Sequence, residues 1–139
     1  MARPIYLDTN FVIRFVESED WRLLQVLEQA GPGLLELFTS ELTLAEVMVG
    51  PLKSGDQALA TYYQEFLTTD EFLQVVPIDR VILLETARIR AQYGTRTPDA
   101  IHCATALGAG CSVFLSSDAR LRMPQGLDRV ALEDIDSKL

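Results

Sequence analysis

Apolar positions along this chain come in short blocks whose spacing switches between two periods. Ile5-Tyr6-Leu7 is a brief apolar run stopped by Asp8-Thr9-Asn10, a cluster that starts helices. Asn10 to Val16 has room for one or two helical turns. Asp20 caps a second helix in which Trp21, Leu24 and Leu27 recur at helical spacing, and Gly31-Pro32-Gly33 ends it. Leu35 to Thr39 reads as a strand, and Ser40 to Val49 as a helix stopped by Gly50-Pro51. Between Gln57 and Leu67, one broad stripe is formed by Ala58, Leu59, Tyr62, Tyr63, Phe66 and Leu67. Phe72 to Val76 is β-rich, and Asp79 opens a helix through Arg90. Thr97-Pro98 predicts a cap with Pro at the first helical position, and that helix runs to Leu107 before Gly108-Ala109-Gly110. Ser112 to Leu115 reads as a strand, Asp118 to Arg122 as a short helix, and Arg129 to Leu132 as an edge strand.

Strands separated by helical patterns predict βαβ units and a mainly parallel sheet with helices on both faces. In such sheets a site lies beyond the carboxyl ends of the strands, where strand order reverses. The polar residues that follow strands therefore carry the functional reading.

Length and composition narrow the class. The 139 residues predict one domain, and 48% apolar with 23% charged residues are globular proportions. Disordered, collagenous and low-complexity classes are excluded. No apolar run approaches the ~20 residues of a membrane span. The apolar run after MARP is too short for a signal-peptide core, so a cytoplasmic protein is expected. Cys103 and Cys111 lack zinc-ligand spacing and the chain has one His, so reduced thiols are expected rather than zinc.

The formal charge of −8 changes the picture more. A chain this acidic does not coat nucleic acid through general counterion release. It suits cations or a basic partner segment.

Four carboxylates stand where such a site would form. Asp8 follows the first strand, Asp118 follows Ser112 to Leu115, Asp99 opens the helix before that strand, and Glu46 lies on the helix after the second strand. If the strands before Asp8 and Asp118 are neighbours, both acids reach one rim. Each has a plain alternative. Asp8 and Asp118 could be helix caps, Asp99 could simply complement a helix dipole, and Glu46 with Thr43 matches a capping box. Converging carboxylates repel unless a divalent cation neutralises them. Oxygen ligands without thiolate or imidazole select Mg²⁺ or Mn²⁺. Such sites serve phosphoryl chemistry, activating water and stabilising the attacking and leaving oxygens.

Four segments carry a family resemblance: Tyr6-Leu7-Asp8-Thr9-Asn10, Thr43-Leu44-Ala45-Glu46-Val47, Thr97-Pro98-Asp99-Ala100-Ile101-His102-Cys103-Ala104-Thr105-Ala106, and Phe114-Leu115-Ser116-Ser117-Asp118-Ala119-Arg120-Leu121. In order and spacing they resemble the PIN domain, over essentially residues 1–139, and the layout is similar to VapC-type ribonuclease toxins of toxin–antitoxin pairs. The resemblance implies a three-layer α/β/α sandwich with strand order 3-2-1-4-5. It implies Mg²⁺- or Mn²⁺-dependent cleavage of RNA, with Asp8, Glu46, Asp99 and Asp118 as catalytic, metal-holding acids. Thr9, Asn10 and Ser116 match supporting positions. The last motif departs from the frequent Thr-Asn-Asp, reading Ser116-Ser117-Asp118 while keeping the acid. The resemblance also implies a homodimer and an antitoxin whose basic segment reaches the acidic site.

Ten of the twelve basic residues are Arg, which suits bidentate phosphate contacts. Arg14, Arg96 and Arg120 lie nearest the motifs and are the candidate RNA contacts, the alternative being solvated surface positions. His102 projects within about 60° of Asp99 on the helix, so a contact to the site and plain helix burial are both open. The stripe between residues 58 and 67 is either core or a partner surface. Two other classes compete with the nuclease. One is a PIN-like module that only binds a partner. The other is a receiver-like phosphoacceptor, for which Asp79 is the nearest acceptor and Lys53 and Lys138 are poorly placed.

Overall fold

β1 (Arg3–Leu7) occupies the middle of a five-stranded sheet in the computed structural model, which describes residues 2–139 and all their side chains except those of 136 and 137. On one side lie β2 (Leu35–Ser40) and β3 (Leu73–Val76), and on the other β4 (Val113–Leu115) and β5 (Asp128–Val130). The order is 3-2-1-4-5 and every neighbouring pair is parallel. Seven α-helices and one 3-10 turn (Leu132–Asp134) complete the described elements: α1 (Thr9–Glu17), α2 (Trp21–Ala30), α3 (Glu41–Ser54), α4 (Gln57–Phe66), α5 (Arg80–Tyr93), α6 (Thr97–Gly108) and α7 (Ile135–Lys138). The α/β/α arrangement expected from the chain is the one observed.

Strand periodicity divides the core into two layers. Ile5 and Leu7, with Leu37, Val113 and Leu115, face α1 and α2 through Phe11, Val12, Leu23 and Val26. Tyr6 and Phe114 point the other way, towards α5 and α6, where they meet Ala100, Cys103 and Ile89. Register keeps these sets together: Ile5 pairs with Leu37 on one side and Val113 on the other. The central strand is sealed on both faces, and Ile5, Tyr6 and Leu7 are each 0% exposed. Cys103 and Cys111 are buried free thiols, and burial pushes both up to about 12.

Three local expectations are corrected. Gly50-Pro51 does not stop α3, which runs on to Ser54 and ends at Gly55 in the left-handed region (φ 74°). A prolyl φ is itself helical, so its ring replaces one hydrogen bond without reversing the chain. Here that ring is buried. Asp118 to Arg122 is a turn, not a helix. The Asp118 carboxylate accepts the Arg120 N–H at 3.0 Å, closing a local turn, and Pro124 bars Met123 from helical backbone. α6 takes Arg96 as its N-cap, so Pro98 stands at the second helical position, still among the orphan donors. The α4 stripe also splits. Tyr63 and Leu67 are buried, whereas Tyr62 is 48% exposed and stacks on Phe66.

Among the described residues no helix is long and apolar enough to cross a membrane. Leu37→Ala, at 0% exposure, should lower unfolding free energy by about 2–5 kcal/mol, whereas Leu52→Ala, at 65%, should stay within about 0.5 kcal/mol. Urea denaturation of both variants against the parent checks the assignment of the core.

Candidate active site

The site grows from the carboxyl ends of β1 and β4. The Asp8 backbone N–H donates to the Leu115 carbonyl at 3.2 Å, carrying the strand pairing one residue past β1. The Asp8 side chain caps α1, its Oδ1 accepting the Thr9 N–H at 2.9 Å. Asp8 is buried. Burial pushes its carboxyl above the ordinary range; nearby His102, the Ser116 hydroxyl and the Thr9 N–H counter this only in part, and Glu46 adds to it.

Ser116 joins this acid to the next. Its hydroxyl accepts the Asp118 N–H at 3.1 Å and helps draw the Asp8 carboxyl downward. From β5, the Arg129 guanidinium donates to the Ser116 carbonyl at 2.8 Å. Asp118 is oriented by Arg120, whose Nε lies 3.1 Å from Oδ1. That hydrogen bond holds the Asp118 carboxyl below its usual range.

Asp99 sits in the first turn of α6, with the Arg96 Nε 3.9 Å from Oδ2. A cleft of about 270 Å³ has Thr95, Arg96, Asp99, Asp118, Arg120 and Arg122 among its walls. Two acids and three arginines therefore share one concavity.

Glu46 reaches the same end of the sheet from α3 but engages a different set of partners. Its Oε1 accepts from the Thr9 hydroxyl at 2.7 Å and lies 2.6 Å from His102 Nε2. Burial pushes this carboxyl up, yet the bonds from His102 and Thr9 outweigh it and hold it below its ordinary value. His102 is 2% exposed, and its Nδ1 stands 2.6 Å from the Tyr6 hydroxyl. A threonine ladder extends the network, with Thr39 donating to the Leu7 carbonyl at 2.8 Å and pairing with Thr43 at 2.8 Å.

The candidates thus fall into groups. Asp8 and Asp118 follow neighbouring strands, with Ser116 between them holding the Asp118 backbone; Asp99 shares a cleft with Asp118, and Glu46 is linked to the Asp8 end through Thr9. Arg96 and Arg120 line the cleft. Arg14 instead pairs with Asp20 and Glu133, each at 3.0 Å. Asn10 is exposed in the first turn of α1, with no side-chain hydrogen bond among the described residues. Sequence reasoning missed Tyr6, Thr39 and Arg122. The alternation Ile5-Tyr6-Leu7 carried a signal for Tyr6, since it puts the phenol on the face opposite its neighbours. Asp79 caps α5 by accepting the Ile82 N–H at 2.9 Å, which accounts for it without a phosphoacceptor role.

Among the described residues no three acidic, His or Cys side chains stand close enough together to enclose a cation. Each carboxylate is met by the chain's own donors: Asp118 by Arg120, Asp99 by Arg96, Glu46 by His102 and Thr9, Asp8 by Thr9 and Ser116. The donor chemistry still fits Mg²⁺ or Mn²⁺, being hard carboxylate oxygen at one rim. Asp8 supports the fit, because a buried carboxyl pushed upward is the group a cation would relieve.

Comparison with known proteins agrees with this geometry. The family model described as PIN domain matches residues 5–126. The chain belongs to the PIN domain family. No curated protein matches it. A chain of a toxin–antitoxin complex from Klebsiella pneumoniae is 24% identical, with 89% of this chain and 95% of that one covered and a TM-score of 0.66. A chain of VapBC2 from Rickettsia felis, bound to a DNA fragment from their promoter, is 15% identical, with coverage of 92% and 98% and a TM-score of 0.75. A chain of DNA-bound VapBC from Salmonella typhimurium is 21% identical, with coverage of 95% and 99% and a TM-score of 0.75. At these identities the structural likeness is one of fold.

The Asp8 shift sets a sign for stability. A carboxyl raised in the fold favours folding below its unfolded value and loses that contribution as pH rises through the folded one. Asp8→Asn keeps the α1 cap and removes the buried charge. Its unfolding midpoint in metal-free buffer at pH 7 should exceed the parent's by about 2–5 °C, and the gap should close as the solution is acidified. A midpoint at or below the parent's at pH 7 would show that the Asp8 charge is compensated in the fold.

Proposed function

We propose that this chain is a divalent-metal-dependent endoribonuclease of the VapC type, the toxin of a toxin–antitoxin pair acting in the cytoplasm. The observation that carries this reading is the end of the β1–β4 pair, where the Asp8 N–H donates to the Leu115 carbonyl and, one residue on, the Ser116 hydroxyl accepts the Asp118 N–H. Membership of the PIN domain family supports the nuclease class. The fold likeness to chains of VapBC complexes supports the toxin assignment.

In this reading Asp8, Asp99 and Asp118, with Glu46, hold Mg²⁺ or Mn²⁺, which supplies Lewis acidity and water activation for phosphodiester hydrolysis. The chain does the rest. Ser116 holds the Asp118 backbone beside the end of β1, and Thr9 serves both Asp8 and Glu46. Arg96 and Arg120 extend from the cleft with side chains 82% and 92% exposed, free to turn from their carboxylate partners to substrate phosphates. Such exposed pairs are weak, so the exchange costs little. The same acids would receive an arginine from a basic antitoxin segment, in keeping with the charge of −8. Homodimerisation belongs to the reading as well. Exposed Val49 and Leu52 on α3 and Val81 and Leu84 on α5 supply apolar surface for a second copy or for the antitoxin.

The decisive experiment is a Mn²⁺ titration of the parent and Asp99→Asn, followed by cleavage of single-stranded RNA. The parent should bind, and the variant should bind at least about tenfold more weakly and lose cleavage in proportion. A parent that neither binds at millimolar Mn²⁺ nor cleaves RNA overturns the proposal in favour of a partner-binding PIN module. Arg120→Ala should separate two properties. Metal affinity should hold or rise, because a competitor for Asp118 is gone. RNA affinity should fall, and the slope of its logarithm against log salt should drop by about one.

A further inference from the structure

We infer that His102 is a positioning residue for Glu46, its Nε2–H holding the carboxylate at the acidic rim while the Tyr6 hydroxyl fixes the imidazole from behind. The role rests on the proposed function in so far as Glu46 serves the metal site. The contacts themselves do not.

Donor and acceptor counting fixes the bonds that reach Glu46. A carboxylate can only accept, so both groups on Glu46 Oε1 must donate to it: Thr9 Oγ1 at 2.7 Å and His102 Nε2 at 2.6 Å. On the other side of the ring, Nδ1 faces the Tyr6 hydroxyl. The two atoms stand 2.6 Å apart, so one hydrogen bond joins phenol and imidazole. Thr39 spends its proton on the Leu7 carbonyl, so Thr43 donates to Thr39 and leaves Thr9 to Glu46. Leaving either ring nitrogen without its partner would strand a buried polar atom.

Placement makes the arrangement rigid. His102 lies in the middle of Ala100–Ala106, seven consecutive buried residues of α6. The ring therefore cannot swing to solvent. Tyr6 is two residues before Asp8 on β1, and its ring stacks on Phe114 of β4, with centroids 5.0 Å apart. The imidazole thus couples the strand that delivers Asp8, the helix that delivers Asp99 and the helix that delivers Glu46. Among the described residues, hydrogen bonds to Glu46 fall on Oε1 and none on Oε2. A carboxylate gripped by one oxygen has a set orientation and a second oxygen for other work. Second partners of this kind orient ligating carboxylates in metal sites generally.

His102 is the chain's only histidine, so ¹⁵N-histidine labelling gives a single imidazole signal pair. The metal-free protein should show a proton on Nε2, and that resonance should shift in Glu46→Gln but not in Asp99→Asn. An unprotonated Nε2, or a spectrum insensitive to Glu46→Gln, overturns the inference. Mn²⁺ titration then reads the consequence. His102→Gln, which can still donate, should bind within about threefold of the parent, and His102→Leu should bind about 10–100-fold more weakly. Equal affinity for the Leu variant and the parent refutes positioning while leaving the nuclease reading intact. If the Leu variant fails to fold, Tyr6→Phe replaces it, with a weakening of several-fold expected and parent-like affinity counting against the inference. A parent that binds no Mn²⁺ defeats the nuclease reading instead, and the imidazole spectrum still decides whether His102 holds Glu46.

Discussion

Everything at the acidic rim depends on β1 and β4 running parallel and ending together. Chain direction away from the sheet reverses at this pair: β2 and β3 are added on one side of β1, β4 and β5 on the other. The connections leaving β1 and β4 therefore diverge and open a crevice. The Asp8 N–H to Leu115 carbonyl bond fixes the depth of that crevice, because it sets where Asp8 stands relative to Ser116. The sealed core behind it turns a strand register into a side-chain register. A one-residue slip of β4 would exchange Phe114 for its neighbours and drive the Tyr6 stack apart.

The second constraint is electrostatic. Four carboxylates stand towards one end of the sheet, and the chain gives each its own donors. The donors differ in how firmly they hold. Arg96 and Arg120 are exposed and mobile partners whose pairing with Asp99 and Asp118 is worth little in water. The grip on Glu46 is internal, made by a buried imidazole and a threonine. Asp8 has the weakest compensation, and its carboxyl is the one pushed upward. That ordering divides the site into a fixed part and an exchangeable part. Tyr6, His102, Glu46 and Thr9 are set by the core, whereas the arginine contacts can be traded for another ligand's charge.

Much of this was legible in the sequence, and the reasons for the gaps are physical. Strand-then-acid patterns at Asp8 and Asp118 follow from short continuous apolar runs ending in polar turns, so the positions of both acids could be read directly. Asp99 was placed by Thr97-Pro98, even though the cap fell one residue earlier, because a proline near a helix start tolerates either position. The continuation of α3 past Gly50-Pro51 was not legible. Local propensity argues for a stop there, and the burial of Pro51 that overrides it is a tertiary fact. Arg14 looked available because it lies close to Asp8 in sequence. Its pairing with Asp20 needs the turn between α1 and α2, and its pairing with Glu133 needs the carboxyl-terminal segment to fold back, which no local pattern records.

His102 shows why a residue's spacing can suggest proximity yet hide its role. Three residues after Asp99, it leaves the helix at a similar angle, but one helical turn deeper against the sheet. At that depth an ionisable ring survives only if both nitrogens are matched. Its partners come from β1 and α3, about a hundred and about fifty residues distant in sequence, respectively. Composition and periodicity could mark the ring as buried or as functional without choosing. The three-dimensional answer is that it is both: the burial that demands partners for the imidazole also supplies, in Glu46, a carboxylate of the acidic rim. A polar network of this kind adds specificity more than stability, since an apolar side chain would fill the same volume at lower desolvation cost. Its presence in the middle of α6 therefore argues that the arrangement of Glu46, and not packing alone, determines the residue at position 102.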